Sequence, residues 1–413
     1  MRKPFLKTLP SGLRIALAPC EAESVAVGIM VASGSRHESA DKAGISHFIE
    51  HMLFKGTPSR GPLEITQEIE GRGGNFNAYT GEEATAFYAH LPCECLADAV
   101  EILSDMYLNA SIPATEFRRE REVVIEEIHM YADEPDSVAQ ENLQRALFPR
   151  NAVGTPVAGF EETLRKMTPA VLRKYIATHY LAEKTVVAIA GNFDPKRAIE
   201  LVERAFAPLA NRRGEFDIEP VDFSLPPVAE TIVKKDVNQT QLALGYRTFG
   251  VEDPRKYALT VLDAILGRGM SSRLFQELRE KRGLSYDISS RAQFFQDAGQ
   301  FWISAGLDPA KAEAALAMID RELAKLKARE VPADELERTK TYLVGNFRLS
   351  HEKVLSKMLY HATCVLSFGR MMPTAEQVEG IANVTAADVR AIAREIFTPE
   401  NRAVSWVLPS SQK

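Results

Sequence analysis

Apolar residues recur along the chain in two rhythms. Short runs rich in Val, Ile, Leu and Ala, bounded by Gly, Pro or Ser, predict strands at residues 13–18, 25–32 and 184–190. Residues 75–80 and 84–91 flank a Gly-containing turn and predict a hairpin. Apolar positions three and four apart predict helices at 43–55, 63–72, 96–109, 114–130, 168–180 and 195–206. The first two stop at Gly56 and at Gly73-Gly74, where glycine suits a helix end. The second half repeats this order, with strands predicted at 241–247, 286–290 and 300–305 and helices at 254–266, 272–281, 309–329 and 332–349.

The repetition extends to local sequence. The string QEIEGRGG from Gln67 is echoed by QELREKRG from Gln276, 209 residues later. A hairpin, a long helix and a helix introduced by Pro-Ala (Pro113-Ala114, Pro332-Ala333) follow each copy. A period of about half the chain means two related domains, because solenoid repeats run to about 20–50 residues. Residues 211–230, NRRGEFDIEPVDFSLPPVAE, carry three prolines and scattered charge and predict a linker. The expected organisation is α+β: homologous domains at 1–210 and 231–413, each a mostly antiparallel sheet backed by helices.

Composition narrows the function. The 413 residues are 45% apolar and 26% charged, which is ordinary for a globular chain and leaves ample material for two cores. A net charge of -6 lacks the basic footprint of sequence-independent nucleic-acid binding, so no nucleic-acid partner is expected. Four cysteines, with Cys93 and Cys95 lacking a second pair at zinc-ribbon spacing, do not make a disulfide framework. The longest apolar runs are strand-sized, and the stretch 13–18 is short and broken by Arg14. No membrane association and a cytoplasmic location are therefore expected.

One helix carries chemistry. Residues four apart share a helix face, so His47 and His51 can both reach one ion. Imidazole nitrogen is a natural zinc ligand, and Glu50 can lie beside the same ion without ligating it. This is the H-x-x-E-H order, the inverse of H-E-x-x-H. A catalytic zinc needs a third protein ligand. The predicted helix 114–130 offers Glu120, Glu126 and Glu127, which spacing alone ranks equally. Glu120 and Glu127 share a face, with Val123 and Val124 expected to pack inward between them. A plain solvated, Glu-rich helix would explain the same residues. The remaining histidines, among them His37, His90, His179 and His361, show no partner spacing.

The segment AGISHFIEHMLFKGT resembles the zinc helix of the pitrilysin–insulinase metallopeptidases, and the half-chain format resembles mitochondrial processing peptidase subunits and their bacterial relatives. The resemblance selects Glu127, 76 residues beyond His51 within EREVVIEEI, as third zinc ligand, and places the supporting glutamate on Glu120. It implies that GGNFNAYTGEEATAFY is an edge strand pairing with substrate near Asn77 and Ala78. It also implies that Arg279 and Tyr286, in LREKRGLSY, hold substrate carbonyl oxygens; an exposed helical Arg and a sheet-core Tyr would read the same way. With Zn2+ on His47, His51 and Glu127, Glu50 is the expected general base and acid. The second half lacks the zinc set, since residues 257–263 read YALTVLD, so it is expected to bind rather than cleave.

These features predict a zinc endopeptidase acting on unfolded peptides or extended segments. Two domains are half of what the family's large members use to enclose a chamber. A homodimer with each site completed in trans is therefore expected. The alternative is a non-catalytic subunit that binds presequence peptides or scaffolds a complex, although such subunits typically lose the zinc residues.

Overall fold

Two mixed sheets organise the protein. The computed structural model describes residues 3–212, 214 and 217–410. Residues 213, 215 and 216 of the expected linker, the first two of 1–210 and the last three of 231–413 lie outside the described residues. Strands β1 (Phe5–Thr8), β2 (Arg14–Pro19), β3 (Ser24–Val31), β4 (Asn75–Thr80), β5 (Thr85–Pro92) and β6 (Thr185–Gly191) form one sheet in the order β1-β2-β6-β3-β5-β4. The second sheet has β7 (Glu230–Lys235), β8 (Thr240–Phe249), β9 (Ser285–Phe294), β10 (Ala298–Leu307) and β11 (Arg402–Pro409), in the order β7-β11-β8-β10-β9. The pairs β2/β6 and β7/β11 are parallel and the other neighbours antiparallel. With β1 set aside, the two sheets share strand order and direction, as an internal duplication requires.

The helices of the first half are α1 (Ile45–Leu53), α2 (Pro62–Glu70), α3 (Leu96–Asn109), α4 (Ala114–Asp133), α5 (Pro135–Leu147), α6 (Glu161–Lys166), α7 (Pro169–His179) and α8 (Pro195–Ala205). Those of the second are α9 (Lys256–Gly267), α10 (Ala312–Ala328), α11 (Ala333–Ser350), α12 (Val354–Phe368), α13 (Thr374–Ala382) and α14 (Ala386–Ile396). Local sequence starts several of them: Thr168 and Asp194 cap α7 and α8 through their side chains, each with Pro in the first turn, where its missing N–H is not needed. The predicted helix at 272–281 winds instead as a π-helix over Phe275–Glu280.

The compact units interleave along the chain. One contains residues 1–128, 156–219 and 348–372, and the other 129–155, 220–347 and 373–413. The chain therefore passes between them inside the expected linker, at 219/220, and also at four other points. Helix α12 belongs to the unit of the first sheet, and α5 to the unit of the second. The reason lies in the strands. On β2 and β6, Ile15, Leu17, Val187 and Ile189 face the core shared with α1, α3 and α7. The alternate residues Ala16, Ala18, Ala188 and Ala190 are equally buried, against Val354, Met358, Ala362 and Val365 of α12. A strand apolar on both faces needs a layer on each, and alanine lets a helix backbone come close. Likewise Ala243 and Ala403 pack against Leu143, Ala146 and Leu147 of α5. Strands β1, β7 and β11 and helices α5, α6, α12, α13 and α14 lie outside the elements the pattern predicts. Among the described residues no helix is long and apolar enough to cross a membrane.

Candidate metal centre

Helix α1 divides into two faces. Ile45, Phe48, Ile49, Met52 and Leu53 are fully buried. Burying each contributes about 1.5–3 kcal/mol, so together they fix the helix's rotation. His47, Glu50 and His51 are left on the opposite side. Phe48 packs on Phe117 of α4, with ring centroids 4.9 Å apart. Phe117, Val124 and Ile125 form the buried stripe of α4 and turn Glu120 and Glu127 towards α1. Val124 is buried as expected, but Val123 is 51% exposed. The buried pair on this turn is Val124 and Ile125, and Val123, about 100° further round the helix from Val124 on the other side, falls outside that stripe.

The start of α1 is clamped from outside the helix. Gly44 and Gly159 have positive φ (92° and 72°), and their backbones nearly touch: a Cβ on Gly159 would lie 2.2 Å from Ala43 O. The buried Glu38 carboxylate accepts the Gly44 N–H and the Ser46 N–H, both at 2.7 Å. It thus caps donors that an α-helix leaves unpaired. Burial pushes the Glu38 carboxyl up to about 7, against the pull of these two bonds.

The predicted metal-site residues converge. His47 Nε2 and His51 Nε2 lie 3.7 and 3.5 Å from Glu127 Oε2, and the three donor atoms are all within 4.8 Å of one another. Donors about 2.1 Å from one tetrahedral centre sit about 3.4 Å apart, so these spacings fit a shared ion better than direct hydrogen bonds. Glu126 is exposed and Glu127 half-buried, which separates two glutamates that spacing left equal. Glu120 Oε1 bonds His51 Nδ1 at 2.9 Å and its Oε2 meets Lys55 Nζ at 2.7 Å. It does not reach the three-atom cluster; it orients the ring of His51, the usual arrangement behind a ligating histidine. His47 Nδ1 is buried with no hydrogen-bond partner among the described residues.

The electrostatics suit a cation. Burial, and then the neighbouring His51, hold His47 down to about 4, so its imidazole is neutral and free to ligate. Burial also pulls His51 down, but its hydrogen bond to Glu120 and the nearby Glu127 carboxylate outweigh that and raise it to about 9. The two carboxylates that stabilise a proton on His51 would equally stabilise a metal ion. Burial pushes the Glu50 carboxyl up, opposed by a 2.6 Å hydrogen bond from the Thr80 hydroxyl.

The other candidate residues lie elsewhere. Asn77 and Ala78 are on β4, which ends its sheet and pairs only with β5. The Ala78 N–H is taken by Asn77 Oδ1 at 2.8 Å, a bond that an added strand would exchange. In the other unit, the Arg279 guanidinium stands 5.2 Å from the Tyr286 ring and 4.8 Å from Phe275. Tyr286 is 76% exposed, which excludes the sheet-core reading. Thr80, Lys55 and Glu38 are absent from the sequence reading; only their side-chain bonds mark them.

The chain is similar to known proteins along most of its length. The family model described as insulinase (peptidase family M16) matches residues 14–160, and that described as peptidase M16 inactive domain matches 166–343. The chain is 34% identical to an uncharacterized zinc protease of Bacillus subtilis, YmxG, over 98% of both chains. It is 35% identical to an uncharacterized zinc protease of Mycobacterium tuberculosis, covering 96% of this chain and 91% of that one. A protease from Helicobacter pylori superposes with a TM-score of 0.92 at 24% identity, over 98% of this chain and 99% of that one. A Pseudomonas fluorescens structure described as a peptidase M16 inactive domain gives 0.89 at 19%, over the whole of both chains.

The clamp on α1 is directly testable. Glu38→Ala leaves two N–H groups unpaired and lowers the helix's local stability by about 1–3 kcal/mol, read as faster amide exchange over residues 44–53. The folded pKa of Glu38 lies above the ordinary 4.5. Stability from its protonated form is therefore whole below 4.5 and lost as pH rises through about 7. The gap between wild type and variant narrows over that window. A gap that widens contradicts the assignment.

Proposed function

The chain belongs to the insulinase family, peptidase family M16, and from that premise we propose that it is a zinc-dependent endopeptidase acting on unfolded peptides or extended segments. The observation that carries the reading is the convergence of His47, His51 and Glu127 from two helices, with Glu50 beside them. These three residues would hold the ion, and Glu120 would orient His51. Zinc there supplies a Lewis acid for a water and for the scissile carbonyl. Glu50 takes the proton of the attacking water and returns it to the leaving amine. Strand β4 aligns an extended peptide by strand addition, through backbone groups near Asn77 and Ala78, which gives affinity with loose sequence choice.

The second half then binds and does not cleave. The helix that corresponds to α1 is α9, whose KYALTVLDAILG contains no histidine. The exposed Tyr286 and its stacked Arg279 are polar and aromatic groups suited to a peptide backbone. We place these two residues against the metal site of a second copy, so that a homodimer closes a chamber around the peptide. A subunit that only binds presequences has no use for the retained Glu50 and metal set, which favours the peptidase.

Elemental analysis and peptide cleavage test the enzyme. One zinc per chain is expected, lost in His51→Ala and kept in Glu50→Gln, with cleavage down at least about 100-fold in both. Full zinc with no cleavage by the wild type, or full activity of Glu50→Gln, contradicts the proposal. The shared site is tested by mixing Arg279→Ala chains with Glu50→Gln chains. Activity returns in mixed dimers if sites form in trans and stays absent if they do not.

A further inference from the structure

The edge strand and the proposed base meet at one hydrogen bond. Thr80, the last residue of β4, donates from Oγ1 to Glu50 Oε2 at 2.6 Å. The direction follows because a carboxylate accepts only and the hydroxyl carries the hydrogen. The Thr85 hydroxyl gives its own to the Ser33 carbonyl at 2.8 Å, so it has none to give Thr80 across their 3.4 Å approach, and the much shorter contact of Thr80 Oγ1 is the one to the carboxylate. The hydrogen of Thr80 is left for the carboxylate.

The position of that hydroxyl is built into the hairpin. Beyond Thr80 the turn is held by the Ser35 and Arg36 N–H groups, which donate to Gly81 O at 3.2 Å and Glu82 O at 2.8 Å. Near the start of the strand Phe76 packs on Phe54, at the end of α1, with centroids 5.4 Å apart. Strand and helix are thus joined twice, by an aromatic contact and by one polar bond. A glutamate needs such a bond, since its terminal torsion is broad and a carboxylate left alone swings freely.

We propose that Thr80 is a positioning residue for the base, through which the strand that receives the peptide also orients Glu50. One carboxylate oxygen is held by the hydroxyl, and the other is left to take and return the proton. Docking of a peptide along β4 steadies Thr80, so substrate alignment and base alignment are coupled through one side chain. This rests on the peptidase reading above.

The test compares Thr80→Val, which keeps the shape and removes the hydroxyl, with Thr80→Ser, which keeps the hydroxyl. A quenched fluorogenic peptide gives kcat and KM for the zinc-loaded protein. Fluorescence anisotropy gives the Kd of the same peptide for the metal-free protein, and elemental analysis gives zinc content. In Thr80→Val, kcat falls about 10- to 100-fold, while KM, Kd and zinc content stay within about two-fold of wild type. Thr80→Ser keeps kcat within about three-fold, and Thr80→Val has no further effect in a Glu50→Gln background. Unchanged kcat in Thr80→Val, an equal loss in both variants, or a loss carried by KM and Kd overturns the inference. Absence of cleavage by the zinc-loaded wild type overturns the peptidase reading and this inference with it. Cleavage that Thr80→Val leaves intact overturns the inference alone.

Discussion

The site depends on holding polar donor atoms of two helices, α1 and α4, about 3.5 Å apart without letting them collapse onto one another or onto water. His47, His51 and Glu127 achieve this at distances longer than a hydrogen bond. Such spacing is costly, since partly buried polar atoms lose solvation. It is tolerated because the opposite faces of the same helices are apolar and fully packed. The aromatic contact between Phe48 and Phe117 sets the separation of α1 from α4. The buried cap from Glu38 sets where α1 begins.

From that arrangement the other features follow. Glu120 holds the outer nitrogen of His51 and is itself held by Lys55. Glu50, three residues after His47, is turned to the same side and steadied by the edge strand. The sheet supports all of this from beneath, buried on one face by α1 and α3 and on the other by α12. A helix drawn from the second half of the chain therefore underlies the unit that carries the metal-site residues. The second unit keeps the strand order of the first but has an apolar helix, α9, where α1 carries its histidines.

Much of this was legible in the sequence, for physical reasons. The spacing of His47 and His51 reports one helix face, and the 209-residue echo between Gln67 and Gln276 reports the duplication that the matching sheets display. Choosing Glu127 over Glu126 needed the resemblance or the fold, because spacing does not reveal which side of α4 is buried. Val123 shows the same limit, being apolar yet exposed. The layer that α12 adds is reflected in the alanines that alternate with large residues along β2 and β6. That signal speaks of a second covering layer but not of which segment supplies it. Thr80 and Glu38 are ordinary polar residues whose importance comes only from what they touch in three dimensions.

The central claim is that one divalent ion sits between two imidazoles of α1 and one carboxylate of α4. Zinc K-edge X-ray absorption of the purified protein tests this most directly. The account predicts a first shell of two imidazole nitrogens and one carboxylate oxygen at about 2.0–2.2 Å, with the carboxylate contribution lost in Glu127→Gln. A shell containing sulfur near 2.3 Å, or one that Glu127→Gln leaves unaltered, would contradict it.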